Sequence, residues 1–104
     1  MTEWVSVDGI AALPPGSCIR ADVDGDDVLV VNVDGTLHAI DNICTHEYAE
    51  LCDGELQGRE IECPLHGARF DVTTGEALTP PAYDDLRTYE VRVEDDVIQV
   101  RVAL

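Results

Sequence analysis

The sequence predicts an all-β fold, a small antiparallel β-sandwich or barrel scaffold, and three observations carry that reading. Short apolar runs are separated by Asp24-Gly25 and Asp34-Gly35, the dipeptide that favours tight hairpin turns. Towards the C-terminus apolar and polar residues alternate. Tyr89, Val91 and Val93 oppose Glu90, Arg92 and Glu94, and then Ile98, Val100 and Val102 oppose Gln99 and Arg101. A period of two is the strand period. No segment of ten or more residues carries a strong helical period.

Taken in order, Trp4 to Val7 is a short extended piece, broken by Leu13-Pro14-Pro15-Gly16. Ser17 to Val23 resumes the strand pattern up to the Asp24-Gly25 turn. Val28 to Val33 is a nearly unbroken apolar run, expected to be a central strand. After Asp34-Gly35 the chain returns through Thr36 to Ile40. Residues 42–83 lose this regularity. Only Glu60 to Cys63 and Arg69 to Val72 look strand-like there, and Thr73-Thr74-Gly75-Glu76 reads as a turn. This stretch is expected to be a metal-organised, cluster-binding subdomain inserted into the scaffold. Asp95-Asp96 turns the last hairpin. There is no internal repeat, and 104 residues suit a single domain, 1–104.

Composition narrows the partners. Hydrophobic residues make up 45% of the chain, enough for a globular core. Acidic residues number 22 against 6 basic ones, a net charge of −16. Such a chain repels phosphate backbones and anionic membranes, which argues against nucleic acid or a membrane as partner. The charge keeps a soluble surface self-repelling, which favours a monomer, and it suits steering onto basic partner proteins in weak, fast encounters. The start, Met1-Thr2-Glu3-Trp4, is polar and acidic, and no apolar run approaches the roughly 20 residues of a membrane span. A cytoplasmic location is therefore expected. In that reducing setting Cys18, Cys44, Cys52 and Cys63 point to metal ligation over disulfides.

Cys44-Thr45-His46 and Cys63-Pro64-Leu65-His66 each offer one thiol and one imidazole, with 16 residues between His46 and Cys63. Cys44 and His46 are two apart, like the outward residues of an extended turn, so both can face one centre. Pro64 stiffens the second segment, and Gly67 permits a tight backbone after it. Two thiolates and two imidazoles suit a [2Fe-2S] centre in which two histidines replace two cysteines on one iron. They also suit a structural zinc site. The familiar zinc-finger order is Cys-Cys then His-His on a hairpin and helix, whereas the order here is Cys-His twice, between strands. An iron–sulfur centre with this ligand set is less negative than one with four thiolates and accepts an electron more readily. Colour separates the readings: an iron–sulfur protein is red-brown, and a zinc-stabilised interaction module is colourless.

These residues also carry a family resemblance. Cys44-Thr45-His46 with Cys63-Pro64-Leu65-His66-Gly67 resembles the Rieske signature, and the resemblance covers the whole chain. Glu60-Ile61-Glu62-Cys63-Pro64-Leu65-His66, Arg69-Phe70-Asp71-Val72 and Thr74-Gly75 most resemble the Rieske-type ferredoxins of bacterial aromatic ring-hydroxylating dioxygenase systems. That resemblance implies a soluble one-electron carrier with a Rieske-type [2Fe-2S] cluster, not itself an enzyme. It would pass electrons from a flavin-dependent NAD(P)H reductase to a separate terminal oxygenase. It implies that Cys44 and Cys63 bind one iron and His46 and His66 the other, with the histidines at the exposed tip. It further implies that Pro80-Pro81 forms a rigid loop over the cluster. Rieske proteins of respiratory complexes carry an extra cysteine in each ligand loop, joined as a disulfide. Here Leu65 stands at the second-loop position. Those proteins also place serine and tyrosine hydroxyls near the cluster, where this chain has Ala68 and Phe70. The missing donors imply a potential near the lower Rieske limit, about −150 mV. A competing assignment is the small Rieske-like subunit of an assimilatory nitrite reductase. Such subunits can lack the ligands, and the presence of all four counts against it.

The remaining candidates read more plainly. Cys52 reads as a partly buried thiol, Cys18 as core filling, and His38 as a lone strand histidine. Asp22 to Asp27 superficially suggests a calcium loop. Its sixth and twelfth positions are Asp27 and Val33 instead of Gly and Glu, so a solvated hairpin is expected. Glu47, Tyr48 and Glu50 neighbour His46 and are candidates for a docking rim.

Overall fold

The computed structural model describes residues 4–7, 13–23, 25–44, 49–64, 67–79, 84–94 and 97–102. Within them lie nine strands: β1 Val5–Val7, β2 Cys18–Val23, β3 Asp26–Val33, β4 Thr36–Asp41, β5 Glu55–Gln57, β6 Glu60–Glu62, β7 Arg69–Asp71, β8 Thr88–Glu94 and β9 Val97–Val102. A single 3-10 turn, Leu51–Asp53, precedes β5. All strand pairings among the described residues are antiparallel. Six strands form a nearly closed sheet in the order β1-β9-β8-β4-β3-β2, and β5-β6-β7 form a separate small sheet. The all-β scaffold appears as expected.

Asp34-Gly35 acts where it stands, whereas Asp24, Asp95 and Asp96 lie outside the described residues. Asp34 and Gly35 have φ of 51° and 92°, the left-handed pair that a two-residue hairpin requires, and Val33 pairs with Thr36 across them. The Gly35 N–H donates to Asn32 Oδ1 at 2.8 Å. In the β2–β3 hairpin the Gly25 N–H donates to Asp22 Oδ1 at 2.8 Å. The hairpin therefore accounts for Asp22, whose carboxylate holds its turn.

β3 explains its own unbroken apolar run. It lies inside the sheet between β2 and β4, second from one edge of the strand order, and both its faces are buried. Leu29 and Val31 join one core with Ile40, Ile61, Phe70 and Val72. Val28 and Val30 join a second core with Val7, Ala39, Ile98 and Val100. One strand thus divides the scaffold interior from the core beneath the inserted sheet.

Two features depart from the expected pattern. Val93 is 51% exposed although Ile98 opposite it on β9 is fully buried in the second core; along that face of β8 only Tyr89 is buried, with Val91 half-buried. β5 and the 3-10 turn have no clear sequence signal. β5 has one inward side chain, Leu56, and takes strand form through pairing with β6.

The six basic residues are all arginines, and each meets a carboxylate: Arg20 with Glu50, Arg59 with Asp71, Arg69 with Glu60 and Glu62, Arg87 with Asp26 and Asp41, Arg92 with Glu94, and Arg101 with Glu90. Arg92 and Arg101 also lie over the Trp4 ring, at 4.2 and 4.4 Å from its centroid.

Candidate metal centre

The two ligand segments are built alike. In the first, Ile43 bridges to Glu50, and the Cys44 N–H donates to the Ala49 carbonyl at 2.9 Å. In the second, Glu62 pairs with Arg69, and the Cys63 N–H donates to the Ala68 carbonyl at 2.7 Å. Each loop is therefore closed between the residue before its cysteine and the sixth residue after it, with the cysteine amide tied to the fifth. The second loop is drawn tighter by the Gly67 N–H, which donates to the Cys63 carbonyl at 3.2 Å.

Both thiols point into one core. Cys44 is 4% and Cys63 2% exposed, packed in the same cluster as Leu29, Ala68 and Phe70. None of the four cysteines is in a disulfide. His46 and His66 lie outside the described residues, as do Glu47, Tyr48, Leu65, Pro80 and Pro81. The donor set nonetheless suits a metal centre. Two soft sulfur donors sit at the roots of two equivalent loops, buried where an uncompensated thiolate is unfavourable. By sequence each loop supplies an imidazole two or three residues further along. Ala68 and Phe70, both fully buried beside the cysteines, leave apolar groups where hydroxyl donors could have stood.

Asn42 organises the first loop, and sequence reasoning missed it. It is fully buried. Its Nδ2 donates to Asp27 Oδ1 at 3.2 Å and to Glu50 Oε1 at 3.3 Å, while its Oδ1 accepts the Cys52 N–H at 3.0 Å. Its carbonyl accepts the Leu51 N–H at 2.6 Å. Glu50, expected on a docking rim, instead turns its carboxylate to Arg20 and Asn42 and props the loop from behind.

Asp71 plays the matching part in the second segment. Its buried carboxylate accepts the Thr73 N–H at 2.8 Å and the Thr73 hydroxyl at 2.6 Å, and faces Arg59 Nε at 3.3 Å. Its backbone holds the turn that precedes β8, accepting the Gly75 N–H at 2.7 Å. Gly75 has φ of 79°, and a Cβ there would come within 2.3 Å of the Leu86 carbonyl oxygen, so Thr74-Gly75 is a steric requirement. Burial opposes ionisation of Asp71, but the Thr73 hydrogen bonds and Arg59 outweigh it and hold the carboxyl below its ordinary 3.8. A carboxyl depressed on folding contributes stability that is present above its unfolded value and lost as pH falls through the folded one. Thermal melts from pH 7 to 2.5 are expected to show Asp71→Asn losing stability at neutral pH and converging on wild type at the acid end. Parallel curves would contradict this role for the carboxylate.

Comparison with known proteins follows the same lines. The sequence matches the Rieske [2Fe-2S] domain over residues 3–90. It is 41% identical over 103 residues to the ferredoxin component of the naphthalene 1,2-dioxygenase/salicylate 5-hydroxylase systems of Ralstonia sp., covering 98% of this chain and 99% of that one. The ferredoxin of carbazole 1,9a-dioxygenase from Nocardioides aromaticivorans IC177 superposes with a TM-score of 0.87 at 41% identity, covering 93% of this chain and 95% of that chain. A ferredoxin solved in complex with the oxygenase of carbazole 1,9a-dioxygenase superposes with a TM-score of 0.89 at 33% identity, covering 97% of this chain and 96% of that chain. Among the described residues no helix is long and apolar enough to cross a membrane.

Proposed function

The chain belongs to the Rieske [2Fe-2S] domain family, and from that premise we propose that it is the ferredoxin of a multicomponent aromatic-ring dioxygenase. It carries single electrons from a flavin-dependent NAD(P)H reductase to a separate terminal oxygenase. The observation that carries this reading is the pair of buried cysteines on two equivalent hairpin loops, in a chain similar to dioxygenase ferredoxins over nearly its full length. Its cofactor is a Rieske-type [2Fe-2S] cluster, which when bound supplies a one-electron couple. Cys44 and Cys63 are the ligands to one iron, and His46 and His66 to the other. The protein is an electron-transfer component and not an enzyme. We place it in the cytoplasm as a monomer.

The chain's own residues do three things for that task. The hairpin closures fix the cysteines, and the surrounding core keeps water from them. The apolar pair Ala68 and Phe70 withholds hydroxyl donors, which keeps the couple low. The surface presents carboxylate in large excess, since every arginine already has an acidic partner in the chain.

Reconstitution tests the reading. With purified reductase and oxygenase, ring hydroxylation driven by NAD(P)H is expected only when this protein is present. Equal turnover without it would overturn the assignment. Raising salt from about 20 to 500 mM is expected to slow its second-order electron exchange roughly tenfold, since exposed charges are screened beyond a Debye length. Redox titration is expected to give a midpoint near about −150 mV. Phe70→Tyr and Ala68→Ser add donors that favour the reduced, more negative state. A hydrogen bond stronger by about 1 kcal/mol on reduction raises a one-electron couple by about 40 mV. A clearly positive wild-type midpoint would refute this account.

A further inference from the structure

We propose that Cys18 and Cys52, neither of them a cluster ligand, form a redox latch: a reversible disulfide that clips β2 to the 3-10 turn behind the first ligand loop. The placement follows from an ion pair and from the close approach of the two segments. The Arg20–Glu50 ion pair sets one residue of β2 against the residue that opens the 3-10 turn. Successive same-face residues of a strand are two apart. Cys18 therefore lies two residues before Arg20 on the same face, and Cys52 lies two residues beyond Glu50 on the opposing segment. The two segments approach closely, with Cα atoms of β2 and the 3-10 turn within 8 Å of one another. A disulfide needs Cα atoms about 4.4–6.8 Å apart. Both cysteines pack partly buried against the same core, and neither is in a disulfide in this structure.

The electrostatics agree with that proximity. Burial raises both thiols, and a charge on Cys52 raises Cys18 further. Neither thiol is therefore primed for indiscriminate attack at neutral pH. The Cys52 thiol lies close enough to Cys18 to act on it, and its Sγ also stands 3.9 Å from Asp53 Oδ1. With an oxidant of the peroxide class, two S–H bonds break and one S–S bond forms. The peroxide takes up the two electrons and two protons and leaves as two waters. Thiol reductants reverse the step. Because the Cys52 N–H of the turn also donates to Asn42 Oδ1, the clip restrains the base of the Cys44 loop without touching the cluster ligands.

The test uses the cluster-loaded protein and diamide, a thiol-specific oxidant. The expected result is a mass loss of about 2 Da, disappearance of two titratable thiols, and an unchanged visible spectrum, all reversed by dithiothreitol. Digestion with trypsin and a glutamyl protease together, which cut after Arg20, Glu47 and Glu50, puts Cys18, Cys44 and Cys52 on separate peptides and should yield one linked peptide pair joining Cys18 to Cys52. Cys18→Ser and Cys52→Ser should each lose the 2 Da change while keeping the cluster. The proposal is overturned if excess diamide leaves all thiols titratable. It also fails if the product is an intermolecular dimer, or if the link includes Cys44 or Cys63 and the visible band bleaches.

Discussion

Replacing Cys63 with alanine is expected to remove the visible absorption and the EPR signal of the reduced protein, and with them all electron transfer. Cys63 is 2% exposed and roots the second loop, its amide tied to Ala68 and its carbonyl to Gly67. Alanine offers no donor atom in its place, and among the described residues Cys63 packs in the same apolar cluster as Ala68 and Phe70. The loss extends to stability, because binding free energy for a metal centre is also folding free energy. In a domain of this size each kcal/mol is worth about 4–8 °C in Tm. A fall of more than about 10 °C is therefore expected, exceeding what truncating one small buried side chain explains. Cys44→Ala should behave alike, since the two loops are built alike. Iron analysis, visible spectroscopy and thermal melting check this. A red-brown Cys63→Ala protein with full iron content would refute the ligand assignment.

Asn42→Leu is expected to be the most damaging substitution outside the ligands. Leucine keeps the branching but is bulkier, leaves the Cys52 N–H without its acceptor, and takes the donor from Asp27 and Glu50. Stranding one buried backbone donor costs about 1–3 kcal/mol, and a loss of about 2–4 kcal/mol in total is expected. Asn42→Asp restores the acceptor but sets a third carboxylate against Asp27 and Glu50. Burial and like charge raise this carboxyl, so its deficit should shrink as pH falls from neutral toward about 4. Denaturant titration of the cluster-loaded proteins checks both, with the bleaching rate as a second readout. Wild-type midpoints for both variants would remove Asn42 from its place under the loop.

Legibility in the sequence followed the range of the interaction. Asp34-Gly35 was readable because a two-residue turn is decided by its own dihedrals. The apolar run of β3 was readable because burial on both faces demands it, although the division into two cores was not. Cys44 and Cys63 stood out because few chemistries need a thiol and an imidazole twice at that spacing. β5 was hidden because its strand form comes from β6. Val93 looked inward because alternation cannot say where a core ends. Asn42 gave no signal at all: one asparagine before Ile43-Cys44 looks like any polar loop residue until the chain brings Asp27, Glu50 and Cys52 around it. Glu50 misled for the same reason, being close to His46 in sequence but turned toward Arg20.

The restriction of positive charge to six paired arginines has a practical consequence for mapping complexes. A carbodiimide activates carboxylates and needs an amine to trap them, and this chain contains no lysine. Its own side chains therefore cannot form isopeptide cross-links with one another, and only the α-amino group can compete. Every other isopeptide bond that involves a side chain of this protein must join one of its carboxylates to an amine of the partner. Each such bond is a direct print of the encounter surface.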